Sequence, residues 1–95
     1  MIRAKKLKIL IIENDPTSAF LLRQYLFDLF FKDIHIFSDA KSGMEAIRII
    51  KPDVIFLDIT SKDDYSGFDV LKFVEASKMH IHIIVTTANL KFVND

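Results

Sequence analysis

Three short stretches hold the residues whose types can do chemistry: "IIENDP" from Ile11, "IFLDI" from Ile55 and "VTTAN" from Val85. The first stops an aliphatic run on Glu13, Asn14 and Asp15. The second ends on Asp58, and the third on the hydroxyls of Thr86 and Thr87. Carboxylates and an amide oxygen are hard ligands of the kind Mg²⁺ takes, commonly one or two carboxylates completed by water and phosphate. An Asp beside such a cation and near hydroxyl donors can accept a phosphoryl group as an aspartyl-phosphate. Each residue also has a plainer role. Asp15 before Pro16 suits a helix cap, Asp58 can cap a loop, and threonines are ordinary in strands. The chemistry exists only if the chain brings the three stretches to one place.

The pattern of apolar residues says how it can. "LKILII" (7–12) and "DVIFLD" (53–58) are short aliphatic runs suited to strands buried on both faces. "DIHIFSD" (33–39) alternates and suits a strand nearer an edge, and "HIHIIVTT" (80–87) is a fourth strand. Between them lie helical patterns. "TSAFLLRQYLFDLFF" follows Pro16 with Leu22, Leu26 and Leu29 as its stripe. "AKSGMEAIRIIK" carries Ala46, Ile47 and Ile50 and ends before Pro52. "FDVLKFVEASK", after a polar loop "ITSKDDYS" and Gly67, sets Phe68, Leu71 and Val74 on one face. "ANLKFVND" reads as a further helix beginning. Strands alternating with helices predict an α/β fold with a parallel sheet. The two most apolar strands belong at its centre as neighbours, and both then end on one edge. That places Glu13, Asn14 and Asp15 beside Asp58, in the position where open parallel sheets bind ligands.

Composition narrows the classes. Ninety-five residues allow one domain, and 51% apolar residues allow a real core. Basic and acidic residues balance at 13 each, so the chain lacks the basic footprint of a nucleic-acid binder. The absence of cysteine excludes disulfides and thiolate chemistry and favours a reducing compartment. The basic start "MIRAKKLKILII" is followed by too short an apolar run for a signal peptide, and no stretch reaches the length of a membrane span. A cytoplasmic protein with no direct contact to nucleic acid or membrane is expected. The only glycines, Gly43 and Gly67, do not follow the first strand. A nucleotide-binding glycine-rich turn is therefore ruled out. His80 and His82 share a strand face without an evident third ligand, and they read, with His35, as partly exposed strand residues.

In order and near-spacing, "KILIIENDP", "PDVIFLDI", "SGFDVLKFV" and "IIVTTAN" resemble the receiver domain of two-component response regulators, from about Lys6 to the last residue. The resemblance implies a flavodoxin-like, three-layer, doubly wound parallel sheet with strand order 2-1-3-4. It makes Asp58 the phosphoacceptor, served by a sensor histidine kinase or a phosphotransfer protein with Mg²⁺. Glu13 then matches the first residue of the acidic pair. Thr60 matches the residue whose backbone carbonyl completes the metal site, Thr87 the hydroxyl that moves to the phosphoryl group, and Ala88 the small residue after it.

The sequence departs from that pattern in three ways. Asn14 stands where the family usually has a metal-ligating Asp, so metal binding is expected to weaken. The loop after Asp58, "ITSKDDYSG", lacks the usual Met-Pro and is one residue longer than the commonest form. No residue matches the family's phosphoryl-pairing Lys, because the pattern stops before a fifth strand and helix. We therefore expect a C-terminally incomplete receiver-like domain, 1–95, with apolar residues of its first helix uncovered. It is expected to be a fragment of a longer receiver or to bury that face in a homo-oligomer. Signalling would pass by binding a downstream protein. The alternative is a pseudo-receiver, a non-phosphorylated docking module, which Asn14, the altered loop and the unmatched Lys favour. "LDIT" also has a loose Asp-x-Thr likeness to haloacid-dehalogenase-like phosphotransferases, but their nucleophile ends the first strand rather than the third.

Overall fold

The computed structural model describes residues 6–59 and 67–86. The elements follow in the order β1 (Ile9–Ile12), α1 (Pro16–Asp28), β2 (Ile34–Phe37), α2 (Ala40–Ile50), β3 (Val54–Asp58), α3 (Gly67–Ser77) and β4 (His82–Thr86). All pairings are parallel, as the pattern predicts, and the sheet order is β2-β1-β3-β4, as the resemblance implies. Every residue of β1 is buried, which explains why that strand reads as an unbroken aliphatic run. β2 and β4 form the edges among the described residues, and both are only partly covered.

Alternation of side chains across the sheet builds two cores. Leu10 and Ile12 of β1 join Ile55 and Leu57 of β3 against α2 and α3, where Ile47, Val70 and Val74 complete the cluster. On the other face Ile9 and Ile11 pack with Leu26 of α1, and Leu22, Ile34, Val54 and Phe56 surround them. The result is three layers, α1 over one face and α2 with α3 over the other. Among the described residues no helix is long and apolar enough to cross a membrane.

Local chemistry fixes where the helices begin and end. Asp15 and Asp39 cap α1 and α2 in the same way, each accepting from the backbone N–H and the hydroxyl of the serine three residues on. α1 ends in a Schellman turn: Phe31 N–H reaches Leu26 O at 3.1 Å and Phe30 N–H reaches Phe27 O at 2.9 Å. Phe30 takes the left-handed conformation there, with φ of 75°. The helix is therefore shorter than its apolar pattern suggests. Leu29, expected on the buried stripe, is the C-cap and 48% exposed. In α3 the buried face also turns away from expectation. Val70 and Val74 point inward while Phe68 is 58% exposed.

Asp53 aligns the start of three strands. Its Oδ2 accepts from Lys8 N–H at 2.8 Å, its own N–H donates to Lys8 O at 2.8 Å, and its carbonyl accepts from His82 N–H at 3.0 Å. Because register is set at this end, the opposite ends of β1 and β3 also line up, with Ile12 beside Leu57. Gly43 then brings α2 against β1. A Cβ built there would lie 2.5 Å from Ile12 Cδ1 and 2.7 Å from Cγ1. Ile12 is buried and has little room to withdraw. Replacing a mid-helix glycine by alanine normally stabilises by about 1 kcal/mol, but overpacking a filled core costs about 1–3 kcal/mol. Gly43→Ala is thus expected to lower stability by up to about 2 kcal/mol in urea unfolding. The loss should shrink in an Ile12→Val background, and a Gly43→Ala chain as stable as the native one would refute the packing argument.

Candidate functional site: an acidic pair at the end of the central strands

The end of β3 carries Asp58, 4% exposed and the one buried charged residue among those described. Beside it, one residue past β1, stands Glu13, whose N–H donates to Phe37 O of β2 at 3.0 Å. The two carboxyl groups share a side-chain hydrogen bond. Glu13 Oε2 also accepts from Asp15 N–H at 3.1 Å, which fixes the turn that presents it. The predicted convergence of Glu13 and Asp58 is therefore present, and the parallel pairing of β1 with β3 produces it.

Two carboxyl groups this close cannot both ionise freely. Desolvation by burial, then hydrogen bonding to Asp58 and repulsion from its charge, push Glu13 up to about 7 against the downward pull of the Asp15 N–H. A proton shared within the pair relieves the repulsion, and a cation would relieve it in another way.

The neighbouring residues sort into different roles. Asn14 is exposed at the turn, beside Glu13 but with no carboxylate to add. Asp15 is committed to its cap, its Oδ2 lying 2.6 Å from Ser18 Oγ, and that hydrogen bond holds its carboxyl below the usual range. It is a capping residue and supplies no third carboxylate to the pair. Among the described residues no cluster of three or more His, Cys, Asp and Glu side chains gathers into a metal site. Thr86 lies opposite Asp58 in the β3–β4 register, with its hydroxyl donating to Leu57 O at 3.4 Å. Thr60, Thr87 and Ala88 lie outside the described residues. His35 pairs with Asp33 at 2.6 Å on β2, far in register from the acidic pair, and His80 and His82 are exposed.

Two further features escaped the sequence reading. Gly67 opens α3 directly against Ile59, the residue after Asp58: a Cβ at 67 would lie 2.5 Å from Ile59 Cγ2 and 3.0 Å from its Cα. This contact is partly with backbone, so a side chain there would displace Ile59, the residue that follows Asp58. The second is a small apolar pocket of about 230 Å³ against Glu13 and Asn14, walled by Pro16, Ala19, Phe20 and Ile36. It forms between α1 and β2, a contact that strand and helix periodicity cannot reveal.

The fold and this acidic pair define a signalling receiver. The sequence matches the response regulator receiver domain family over residues 9–93, and the chain belongs to that family. Among solved structures it is similar to the signal receiver domain of a putative LuxO repressor protein from Vibrio parahaemolyticus. That likeness has 25% identity and a TM-score of 0.80, covering 94% of this chain and 72% of the other. The MaeR response regulator bound to beryllium trifluoride is similar at 29% identity and a TM-score of 0.78, over 94% of this chain and 75% of that one. So is the receiver domain of a DNA-binding response regulator (merR) from Colwellia psychrerythraea 34H, at 29% and 0.78, over 94% and 74%. No curated protein matches.

The raised Glu13 sets a pH dependence. Its folded-state value of about 7 lies above the ordinary 4.5, so the folded chain holds this proton more tightly than the unfolded chain does. Stability tied to the proton is complete below the unfolded value and is lost as the pH rises through the folded one. In metal-free buffer the melting temperature is expected to fall between about pH 5 and about pH 8, and Glu13→Gln should flatten that slope. Equal slopes in the native chain and in Glu13→Gln would show that the pair does not share a proton.

Proposed function

We propose that this receiver domain accepts a phosphoryl group on Asp58 from the phosphohistidine of a sensor kinase or phosphotransfer protein in the cytoplasm. The observation that carries the reading is the buried Asp58 carboxylate hydrogen-bonded to Glu13 at the end of the two central strands. An Asp58 oxygen attacks phosphorus, the aspartyl O–P bond forms and the P–N bond to the donor imidazole breaks. The leaving imidazole keeps the electron pair and takes up a proton. The phosphorylated side chain carries about −1.5 to −2 charges, up to about one more than the ionised carboxylate it replaces, at an edge that already resists charge.

Glu13 and Asp58 fit Mg²⁺, since one or two carboxylates are what that ion commonly takes from a protein and their mutual repulsion favours a cation between them. Bound there, Mg²⁺ would neutralise charge developing on the transferring phosphoryl oxygens. Glu13 and Asp58 would hold it with their carboxylates, Thr60 with its backbone carbonyl, and Asn14 with an amide oxygen that adds no charge. By the same family resemblance Thr87 donates a hydrogen bond to the phosphoryl group, with the small Ala88 leaving it room. The similar MaeR structure contains beryllium trifluoride, which supports an anion-accepting site in this fold. Output passes by protein–protein contact with a downstream target. The exposed apolar residues of α1, including Phe20, Leu21 and Tyr25, favour such contacts, a homo-oligomer among them. A second reading, a docking module without phosphorylation, draws on Asn14 replacing a carboxylate.

Intact-mass spectrometry after incubation with Mg²⁺ and acetyl phosphate tests the two. A single phosphate adduct, absent from Asp58→Asn, is expected, with a larger labelled fraction in Asn14→Asp. No adduct in either the native chain or Asn14→Asp would overturn the phosphoacceptor reading in favour of the docking module.

A further inference from the structure

On the outer face of the sheet's second helical layer, α2 and α3 enclose a groove of about 510 Å³ lined by Lys41, Met44, Glu45, Arg48, Ile49 and Phe73. Its apolar surface comes from Met44, Phe73 and Ile49. At 83% Ile49 is the most exposed of the exposed large apolar side chains on the described surface. The Arg48 guanidinium lies over the Phe73 ring at 5.3 Å. Stacking on an aromatic face uses the flat side of the guanidinium and leaves its N–H edge suited to a carboxylate. The groove does not end there, because Arg48 and Phe73 also border a second depression of about 260 Å³ with Ala76, Ser77 and Met79.

The charges along this groove are ordered. Lys41 and Arg48 are seven residues apart on one stripe of α2, which puts them about 10.5 Å apart along the axis. Glu45 stands between them, four residues after Lys41 and three before Arg48. The rim therefore reads cation, anion, cation, beside an apolar floor. Met44 and Phe73 are half-buried against the core, while Lys41, Glu45, Arg48 and Ile49 are exposed and lie away from the buried residues Ala40, Gly43, Ala46 and Ile47.

We propose that this groove docks an amphipathic helix of a partner protein whose acidic residues are seven positions apart. A helix laid along α2 has the same rise, so carboxylates at i and i+7 meet Lys41 and Arg48 together, and a basic residue at the intervening turn meets Glu45. Apolar residues on the adjoining stripe then cover Met44, Phe73 and Ile49. Helices commonly enter grooves through apolar anchors at i, i+3, i+4 and i+7. The charge order adds specificity and on-rate more than affinity. The groove shares no lining residue with the acidic pair.

The test uses the full chain and two fluorescent peptides of about 20 residues, long enough to populate helix. Both carry the same apolar stripe. One has the acid–base–acid order and the other has every charge reversed. Fluorescence anisotropy is expected to show the acidic peptide binding at least about tenfold tighter than its reverse. The Lys41→Glu, Arg48→Glu chain should invert that preference, and Ile49→Ser should weaken both peptides. All three positions are at the surface or rim, and circular dichroism confirms that the variants fold. Equal binding of the two peptides, no binding of either, or a preference that Lys41→Glu, Arg48→Glu leaves intact would each overturn the proposal. So would sedimentation showing that Ile49→Ser dissolves a homodimer, since a second copy would then be the occupant. Binding to vesicles of anionic lipid with no peptide binding would assign the groove to a membrane surface and equally sink it.

Discussion

Two carboxyl groups meet at the end of an apolar sheet, and their repulsion is the constraint that the rest of the structure has to sustain. Glu13 and Asp58 are brought together by strands that have no freedom to move apart. Ile9 to Ile12 are all buried, and Ile55 and Leu57 have no exposed surface at all. A one-residue slip between β1 and β3 would turn each strand inside out and send both acids to different places. Asp53 guards against that slip from the far end, where its side chain, N–H and carbonyl tie Lys8, the start of β3 and His82 together. Register is thus locked where there is no chemistry, so that strain can be tolerated where there is.

The helices are set against this sheet by small, local devices. The Asp15–Ser18 and Asp39–Ser42 caps start α1 and α2 at defined residues, and the first of these also removes Asp15 from the acidic site. Gly43 lets α2 approach Ile12, the last residue of β1, and Gly67 lets α3 approach Ile59 just beyond Asp58. Both glycines therefore act on the segments that carry the two acids. They serve close approach rather than unusual backbone angles, since neither has a positive φ. Positive φ values occur instead at Phe30, Lys51 and Lys78, in the turns that follow the three helices.

Much of this was legible because burial on two faces leaves an unmistakable signature. "KILII" and "VIFL" have no other stable home than the middle of a parallel sheet, and their shared direction places Glu13 beside Asp58. Asp15 before Pro16 reads as a cap, and it is one. Leu29 and Phe68 were legible only as apolar residues at helical spacing. A Schellman turn ends α1 before Leu29 can join the stripe, and α3 buries Val70 and Val74 in place of Phe68. α1 explains the difficulty: apolar residues such as Phe20, Leu21, Tyr25 and Phe27 lie around it, so no single stripe stands out. The groove beside α2 and the pocket beside Glu13 depend on how separate elements meet. Neither spacing nor composition encodes that directly.

The acidic pair also implies that a proton and a cation would compete at this edge. A proton on Glu13 and a cation between the carboxylates relieve the same repulsion, so each diminishes the need for the other. At a pH below the raised Glu13 value the pair is already satisfied, and metal must displace a proton to enter. Above it the pair is a charged site in search of a counter-ion. Asn14 sharpens this competition, because an amide beside the pair adds an oxygen but no charge to draw the cation in. With 13 basic and 13 acidic residues the chain has no net negative charge to make up for a carboxylate at that position. Any draw on a cation would rest first on the two acids that the β1–β3 register holds together.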